Sequence, residues 1–288
     1  MINSNSKIHL VECPRDAMQG WKNFIATEKK IGYINQLLKV GFDTIDFGSF
    51  VSPKAIPQMA DTKQVISNLE LTNSKTKLLA IIANVRGAKD AARFEKISYL
   101  GFPFSVSPTF QLRNTNSTIE QSLDTVKEIK EICDKNTKES VVYISMAFGN
   151  PYGDDYDEDI VLQWIDKLAG EGIKIISLAD TVGLATPKQI ASVVSKVISA
   201  FPGIETGVHL HSTNINWQQK IDAALEQGCM RFDGALKGIG GCPMADDELV
   251  GNMDSELMIP YFKELGYSNE IDANALAESI RLASEIFI

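Results

Sequence analysis

Short apolar runs alternate with amphipathic ones along all 288 residues. KIHLVEC (7–13), DTIDFGSF, KLLAIIAN (77–84), FPFSVS (102–107), SVVYISMAF (140–148), KIISLADTVG (174–183), the stretch GVHLHST and MRFDGAL (230–236) read as strands. The segments between them carry helical spacing. ATEKKIGYINQLLKVG sets Ile31, Ile34, Leu37 and Leu38 on one face and stops at Gly41. Residues 61–71 predict a second helix capped by Asp61, and 86–97 a third. STIEQSLDTVKEIKEICDKN is the longest, with Ser117-x-x-Glu120 as its expected capping box. DEDIVLQWIDKLAGEG, TPKQIASVVSKVISAFP (Thr186 as cap, Pro187 at the first helical position) and WQQKIDAALEQG follow in turn.

Eight strand-then-helix units predict an α/β fold, a (β/α)8 TIM barrel. The competing open doubly wound sheet usually has a glycine-rich phosphate loop after its first strand, and PRDAMQGW is no such loop. No linker or charge block marks a boundary, so residues 1–288 read as a single catalytic domain, with additional closing and flanking C-terminal helices over about 247–288.

Composition narrows the function classes. A net charge of −9 argues against a generic nucleic-acid or anionic-membrane binder. No apolar run is long enough for a membrane span, and MINSNSKIHL lacks the apolar core of a secretory signal. Cys13, Cys133, Cys229 and Cys242 are scattered without a C-x-x-C pair, which fits reduced thiols and a cytoplasmic setting better than a disulfide framework.

Val208-His209-Leu210-His211 offers the sharpest chemical signal. On a strand, the period of two turns both imidazoles to one face, half of a divalent-metal site. On the pair alone, two partly buried strand histidines are an equal reading. In a barrel the active site lies at the carboxyl ends of the strands. There the pattern also places Arg15 and Asp16, Asp46, Asn84, Asp180 with Thr181, Cys242 in Gly-Gly-Cys-Pro, and Asn252. Each has an ordinary structural use: a turn, a surface ion pair, a core filler. It is their gathering at one rim that points to a site.

VECPRDAMQ, FVSPKAIPQM, SLADTVGLATP, GVHLHST and GIGGCP resemble the hydroxymethylglutaryl-CoA lyase family, from about Ile8 to the end. That family sits among metallolyase barrels that include isopropylmalate and homocitrate synthases. Arg-Asp and H-x-H are shared by the whole group; SFVSPKAIPQM and G-x-GGCP are the narrower match. The resemblance implies that Asp16, His209, His211 and Asn252 hold a divalent cation, Mg²⁺ or Mn²⁺. It implies that Arg15 stabilises the enolate oxygen, that Cys242 donates a proton to the acetyl-CoA carbanion, and that Asp180 is a polar catalytic group near metal and substrate hydroxyl. The implied reaction cleaves 3-hydroxy-3-methylglutaryl-CoA to acetyl-CoA and acetoacetate, as in leucine breakdown. Asn84 is a candidate contact to the CoA end of the acyl-CoA. Barrels of this type often pair through outer helices, which makes a homodimer the expected assembly.

Three positions depart from the family. Asp46 stands where the lyases have Glu; one methylene shorter, its contact to Arg15 or substrate is expected to be lost or bridged by water. Asn150 replaces the cysteine of GCPY. The loop CPMADDELVGN is one residue longer and carries Asp246, Asp247 and Glu248. These leave open a related hydroxyacyl-CoA substrate, a condensing synthase, or a metal- or CoA-binding barrel without turnover.

Overall fold

The computed structural model describes residues 7–240 and 251–288. Eight parallel strands close into a barrel in sequence order: β1 (His9–Glu12), β2 (Thr44–Ser49), β3 (Lys77–Ile81), β4 (Ile97–Ser105), β5 (Glu139–Ser145), β6 (Ile175–Ala179), β7 (Glu205–His209) and β8 (Arg231–Gly234). The last strand pairs with the first, Leu10 opposite Phe232, so no edge is left exposed. The TIM barrel read from the sequence is therefore present.

Eleven helices surround it among the described residues: α1 (Pro14–Gln19), α2 (Thr27–Leu37), α3 (Thr62–Ser67), α4 (Val85–Ala92), α5 (Pro108–Thr115), α6 (Ile119–Lys135), α7 (Glu158–Gly170), α8 (Pro187–Ala200), α9 (Trp217–Leu225), α10 (Ser255–Glu264) and α11 (Ala273–Ile286). None is long and apolar enough to cross a membrane. The C-terminal pair flanks the barrel: Phe287, just after α11, sets its ring edge-on against Trp21 and Tyr33.

Several boundaries differ from the sequence reading, each for a local reason. The third helix ends at Ala92 rather than 97, because Ile97 opens β4 and pairs with Leu78. The long helix is boxed one residue later than expected. Thr118 Oγ1 accepts from the Gln121 amide and Gln121 Oε1 from the Thr118 amide, while Ser117 turns to the Thr115 and Ser122 hydroxyls. Asp61 precedes α3, but its carboxylate accepts from Lys30 Nζ and Thr27 Oγ1 instead of capping. Charge pairing with a buried lysine outweighs a cap bond. The short helix α5 has no counterpart in the sequence reading; Ser107 caps it by accepting from the Phe110 amide. Thr186 and Pro187 open α8 as expected, with Gln189 completing a box.

Opposite the chemistry, at the amino ends of the strands, Arg231 is buried and reaches His9 and Glu205. Gly207 makes room for it, since a Cβ there would sit 2.7 Å from Arg231 Cδ. That end is built for stability.

Candidate active site

Arg15 and Asp16 lie in the first turn of α1, immediately after β1, and not at the strand end itself. Pro14 occupies the first helical position, where its missing N–H costs nothing. The tight turn swings both side chains over the barrel mouth, where they are buried. Arg15 Nη1 donates to Asp16 Oδ1 at 2.9 Å, and Nε donates to Asp46 Oδ2 at 3.0 Å. Nη2 also donates to Asp46. The shortened side chain at position 46 therefore keeps its direct, forked contact to Arg15, contrary to the expectation from its length. It does so because β1, which leads into the α1 turn carrying Arg15, pairs directly with β2, which carries Asp46, with Glu12 opposite Ile45.

β7 ends at His209, and the chain stays extended through His211. The returning segment pairs there: Ser212 N donates to Gly251 O, Met253 N to Leu210 O, and His211 bridges Asn252. The two imidazole centroids are 5.4 Å apart, as the alternating pattern predicts. Asn252 Nδ2 donates to Asp16 Oδ2 at 2.8 Å and to the Ile239 carbonyl at 3.0 Å. Gly240 has no alternative: its φ is +135° and a Cβ would lie 2.0 Å from Asn252 Nδ2.

One ligand atom each from Asp16, His209 and His211 falls within 4.8 Å of the others. Among the described residues, both ring nitrogens of His211 and Oδ1 of Asn252 are buried with no hydrogen-bond partner. Orphaned buried acceptors are costly unless something else occupies them. Imidazole, carboxylate and amide oxygen together suit a divalent cation, and the donor set does not by itself choose which.

The electrostatics agree. Burial raises the Asp16 carboxyl, but Arg15 and the two imidazoles outweigh it and hold it down at about 2. Burial, with His209 beside it, lowers His211 to about 4, which keeps its lone pair free. Burial also lowers His209, yet Asp233 reverses the sign and raises it. Burial drives Asp46 up to about 6 against the pull of Arg15.

Asp180 sits just past β6 and is buried. Its Oδ1 accepts from the Ala185 amide and its Oδ2 from Lys220 Nζ. Asn84 caps α4, accepting from the Gly87 amide. It also lines a cavity of about 300 Å³ with Ser49, Thr62 and Arg86, where the Ser49 hydroxyl is buried and unpartnered among the described residues. Cys242 lies outside the described residues.

The HMGL-like family description matches residues 7–282. The chain belongs to the HMGL-like family. It is 30% identical to a hydroxymethylglutaryl-CoA lyase of Bacillus subtilis over 94% of this chain and 90% of the relative. It is 31% identical to a 3-hydroxy-3-isohexenylglutaryl-CoA/hydroxymethylglutaryl-CoA lyase of Pseudomonas aeruginosa, over 96% and 92%. An (R)-citramalyl-CoA lyase of Chloroflexus aurantiacus stands at 30%, over 91% and 85%. Among solved structures, an HMG-CoA lyase of Acinetobacter baumannii in complex with coenzyme A and 3-methylmalate superposes with a TM-score of 0.91. It shares 33% identity and covers 100% of this chain and 93% of that one.

Within this HMGL-like barrel, two site residues escaped the sequence reading. Asp233 on β8 accepts from His209 Nδ1 at 3.2 Å, which fixes the ring and leaves Nε2 for a cation. A carboxylate inside the apolar run MRFDGAL was its available signal, since a buried strand aspartate needs a partner. Lys220 on α9 gave none, because a lysine beside a helix's apolar face ordinarily faces water. Asn150 proves structural: its Oδ1 accepts from the amides of Tyr152 and Asp154, and its Nδ2 donates to the Asp154 carbonyl. It folds the loop after β5 as a local amide turn.

Proposed function

We propose that this protein is a divalent-cation-dependent carbon–carbon lyase that cleaves 3-hydroxy-3-methylglutaryl-CoA to acetyl-CoA and acetoacetate. The observation that carries the reading is the convergence of Asp16, His209 and His211 with unpartnered buried nitrogens and the Asn252 carbonyl at the carboxyl end of the barrel. These four residues would hold Mg²⁺ or Mn²⁺. Bound there, the cation lowers the pKa of the substrate's tertiary hydroxyl and orients it.

The remaining steps belong to the side chains. Arg15 commits three of its five N–H donors to Asp46 and Asp16. The other two would meet the thioester oxygen as it becomes an enolate, stabilising charge where it develops. Asp46 keeps the guanidinium in its plane. Asp180 anchors Lys220 and, through it, the His211 carbonyl, and would be the general base that takes the hydroxyl proton as the carbon–carbon bond breaks. Cys242 would return a proton to the acetyl-CoA carbanion. The cavity beside Asn84, with Lys63 and Arg86 among its lining residues, suits the anionic CoA arm. A cytoplasmic homodimer with reduced thiols belongs to the same reading.

A second reading, cleavage of a bulkier or related 3-hydroxyacyl-CoA, draws on the isohexenylglutaryl-CoA and citramalyl-CoA relatives and on Asp46 in place of Glu. Comparing kcat/KM for the three acyl-CoA thioesters in Mn²⁺ decides it. The first reading expects hydroxymethylglutaryl-CoA to lead; a clear lead by either of the others replaces it.

A further inference from the structure

Cys13 lies between β1 and α1, buried at 1% exposure. Its sulfur, a ring nitrogen of His209 and a carboxylate oxygen of Asp233 lie within 4.8 Å of one another. Cys13 follows directly on β1, His209 ends β7 and Asp233 lies in β8, and these three strands are consecutive around the closed barrel. His209 Nδ1 already stands 3.2 Å from Asp233 Oδ2. Asp233 Oδ1 is buried with no partner among the described residues. Among the described residues the thiol makes a single long bond, 3.8 Å, to the Val11 carbonyl on β1. This set shares His209 with the Asp16–His209–His211 group and nothing else.

We propose that Cys13, His209 Nδ1 and Asp233 form a second cation site, selective for thiolate-preferring divalent ions such as Zn²⁺ and Cd²⁺. A thiolate, an imidazole and a carboxylate are common zinc donors, whereas Mg²⁺ and Mn²⁺ prefer oxygen. Ligands of one tetrahedral zinc lie roughly 3.3–3.7 Å apart given its bond lengths; the imidazole–carboxylate pair, at 3.2 Å, is close to that spacing, and the sulfur, within 4.8 Å of both, has at most about 1.5 Å to close. Binding displaces the thiol proton to solvent. It also takes the Nδ1 lone pair, so the single proton of neutral imidazole must sit on Nε2.

This proton count makes the two sites exclusive. His209 can offer Nε2 to a cation on the Asp16 side, with its proton on Nδ1 toward Asp233. Alternatively it offers Nδ1 to a soft cation, with its proton on Nε2. A soft ion in the lower site thereby removes one ligand from the upper one. This consequence rests on the reading of His209 as a ligand in the proposed function, but the binding test does not use turnover.

Cobalt is the probe, in a Cys242→Ala background, so that the thiol given a proton-donor role in the proposed function cannot supply the sulfur. Titrating Co²⁺ into this protein is expected to produce a near-ultraviolet thiolate-to-cobalt charge-transfer band. Cys13→Ser in the same background should lack the band and still bind Mn²⁺. Absence of the band before Cys13 is changed, or its persistence afterwards, overturns the proposal. X-ray absorption of the zinc-loaded Cys242→Ala protein needs no change at Cys13. One sulfur in the zinc shell is expected; a shell of nitrogen and oxygen alone overturns the assignment. In competition, Cd²⁺ should release bound Mn²⁺ at a concentration at least about tenfold lower when Cys13 is present. Equal release with and without Cys13 contradicts the exclusivity. Turnover is read separately on the wild type: a sulfur ligand in the Cys242→Ala protein together with no acyl-CoA cleavage by the Mn²⁺-loaded wild type would count against the proposed function alone.

Discussion

Lys220 Nζ lies 2.7 Å from Asp180 Oδ2 and 2.7 Å from the His211 carbonyl, with both side chains only 2% exposed. One cation thus ties the end of β6 to the segment that carries both histidines. Lys220→Met strands a buried carboxylate, and the expected loss is about 3–5 kcal/mol in urea unfolding. Adding Asp180→Asn should recover a large part of it. Equal stability of Lys220→Met and wild type would contradict the pairing.

Asp233 acts on the cation site through the His209 ring. Asp233→Asn retains the size of the side chain but gives up the charge that holds Nδ1–H. Mn²⁺ affinity should fall about 10–100-fold, with the barrel still folded by circular dichroism. An unchanged Mn²⁺ dissociation constant would remove Asp233 from the account.

Much of this site was legible in the chain and some was not. His209 and His211 were visible because a strand's period of two is rigid. Arg15, Asp16 and Asn252 were visible because a barrel concentrates strand ends at one mouth. Lys220 was invisible because helical periodicity marks apolar faces only; a lysine at the edge of one looks solvated. The reach of Asp46 to Arg15 depended on the register of β1 against β2, which side-chain length does not encode. Ser117–Glu120 has the spacing of a capping box, but Thr118–Gln121 has the same spacing, and the Ser117 hydroxyl serves Thr115 and Ser122 instead.

Asp46 supplies the acid limb of the pH profile. Burial raises its carboxyl to about 6, against the pull of Arg15. Above that value it is ionised and orients the guanidinium; below it, the orienting charge is gone. The expected kcat/KM therefore falls about tenfold per pH unit beneath pH 6. Asp46→Asn should be slower throughout and lack this limb. A profile flat down to about pH 5 would contradict the role.

Glu12 fastens both ends of the segment between β8 and α10. Its Oε1 accepts from the Leu236 amide at 2.8 Å, and Oε2 pairs with the Ser255 hydroxyl. Burial raises its carboxyl from the ordinary 4.5 to about 8. The folded state thus favours the protonated acid, so this contribution is complete below pH 4.5 and is lost as pH rises toward 8. Glu12→Gln mimics the neutral form and does not titrate. Between about pH 6 and pH 9 the wild type should lose about 2–3 kcal/mol relative to the variant in urea unfolding. Parallel stability curves would show that Glu12 is not buried as a neutral acid.

The most direct measurement is acetoacetate release from 3-hydroxy-3-methylglutaryl-CoA by chelator-stripped protein, with and without Mg²⁺ or Mn²⁺, for the wild type and His211→Ala. Acetoacetate that appears only with the cation, and only from the wild type, is the predicted result. Cleavage without added cation, equal cleavage by His211→Ala, or no acetoacetate from wild type that binds Mn²⁺ normally would contradict the account.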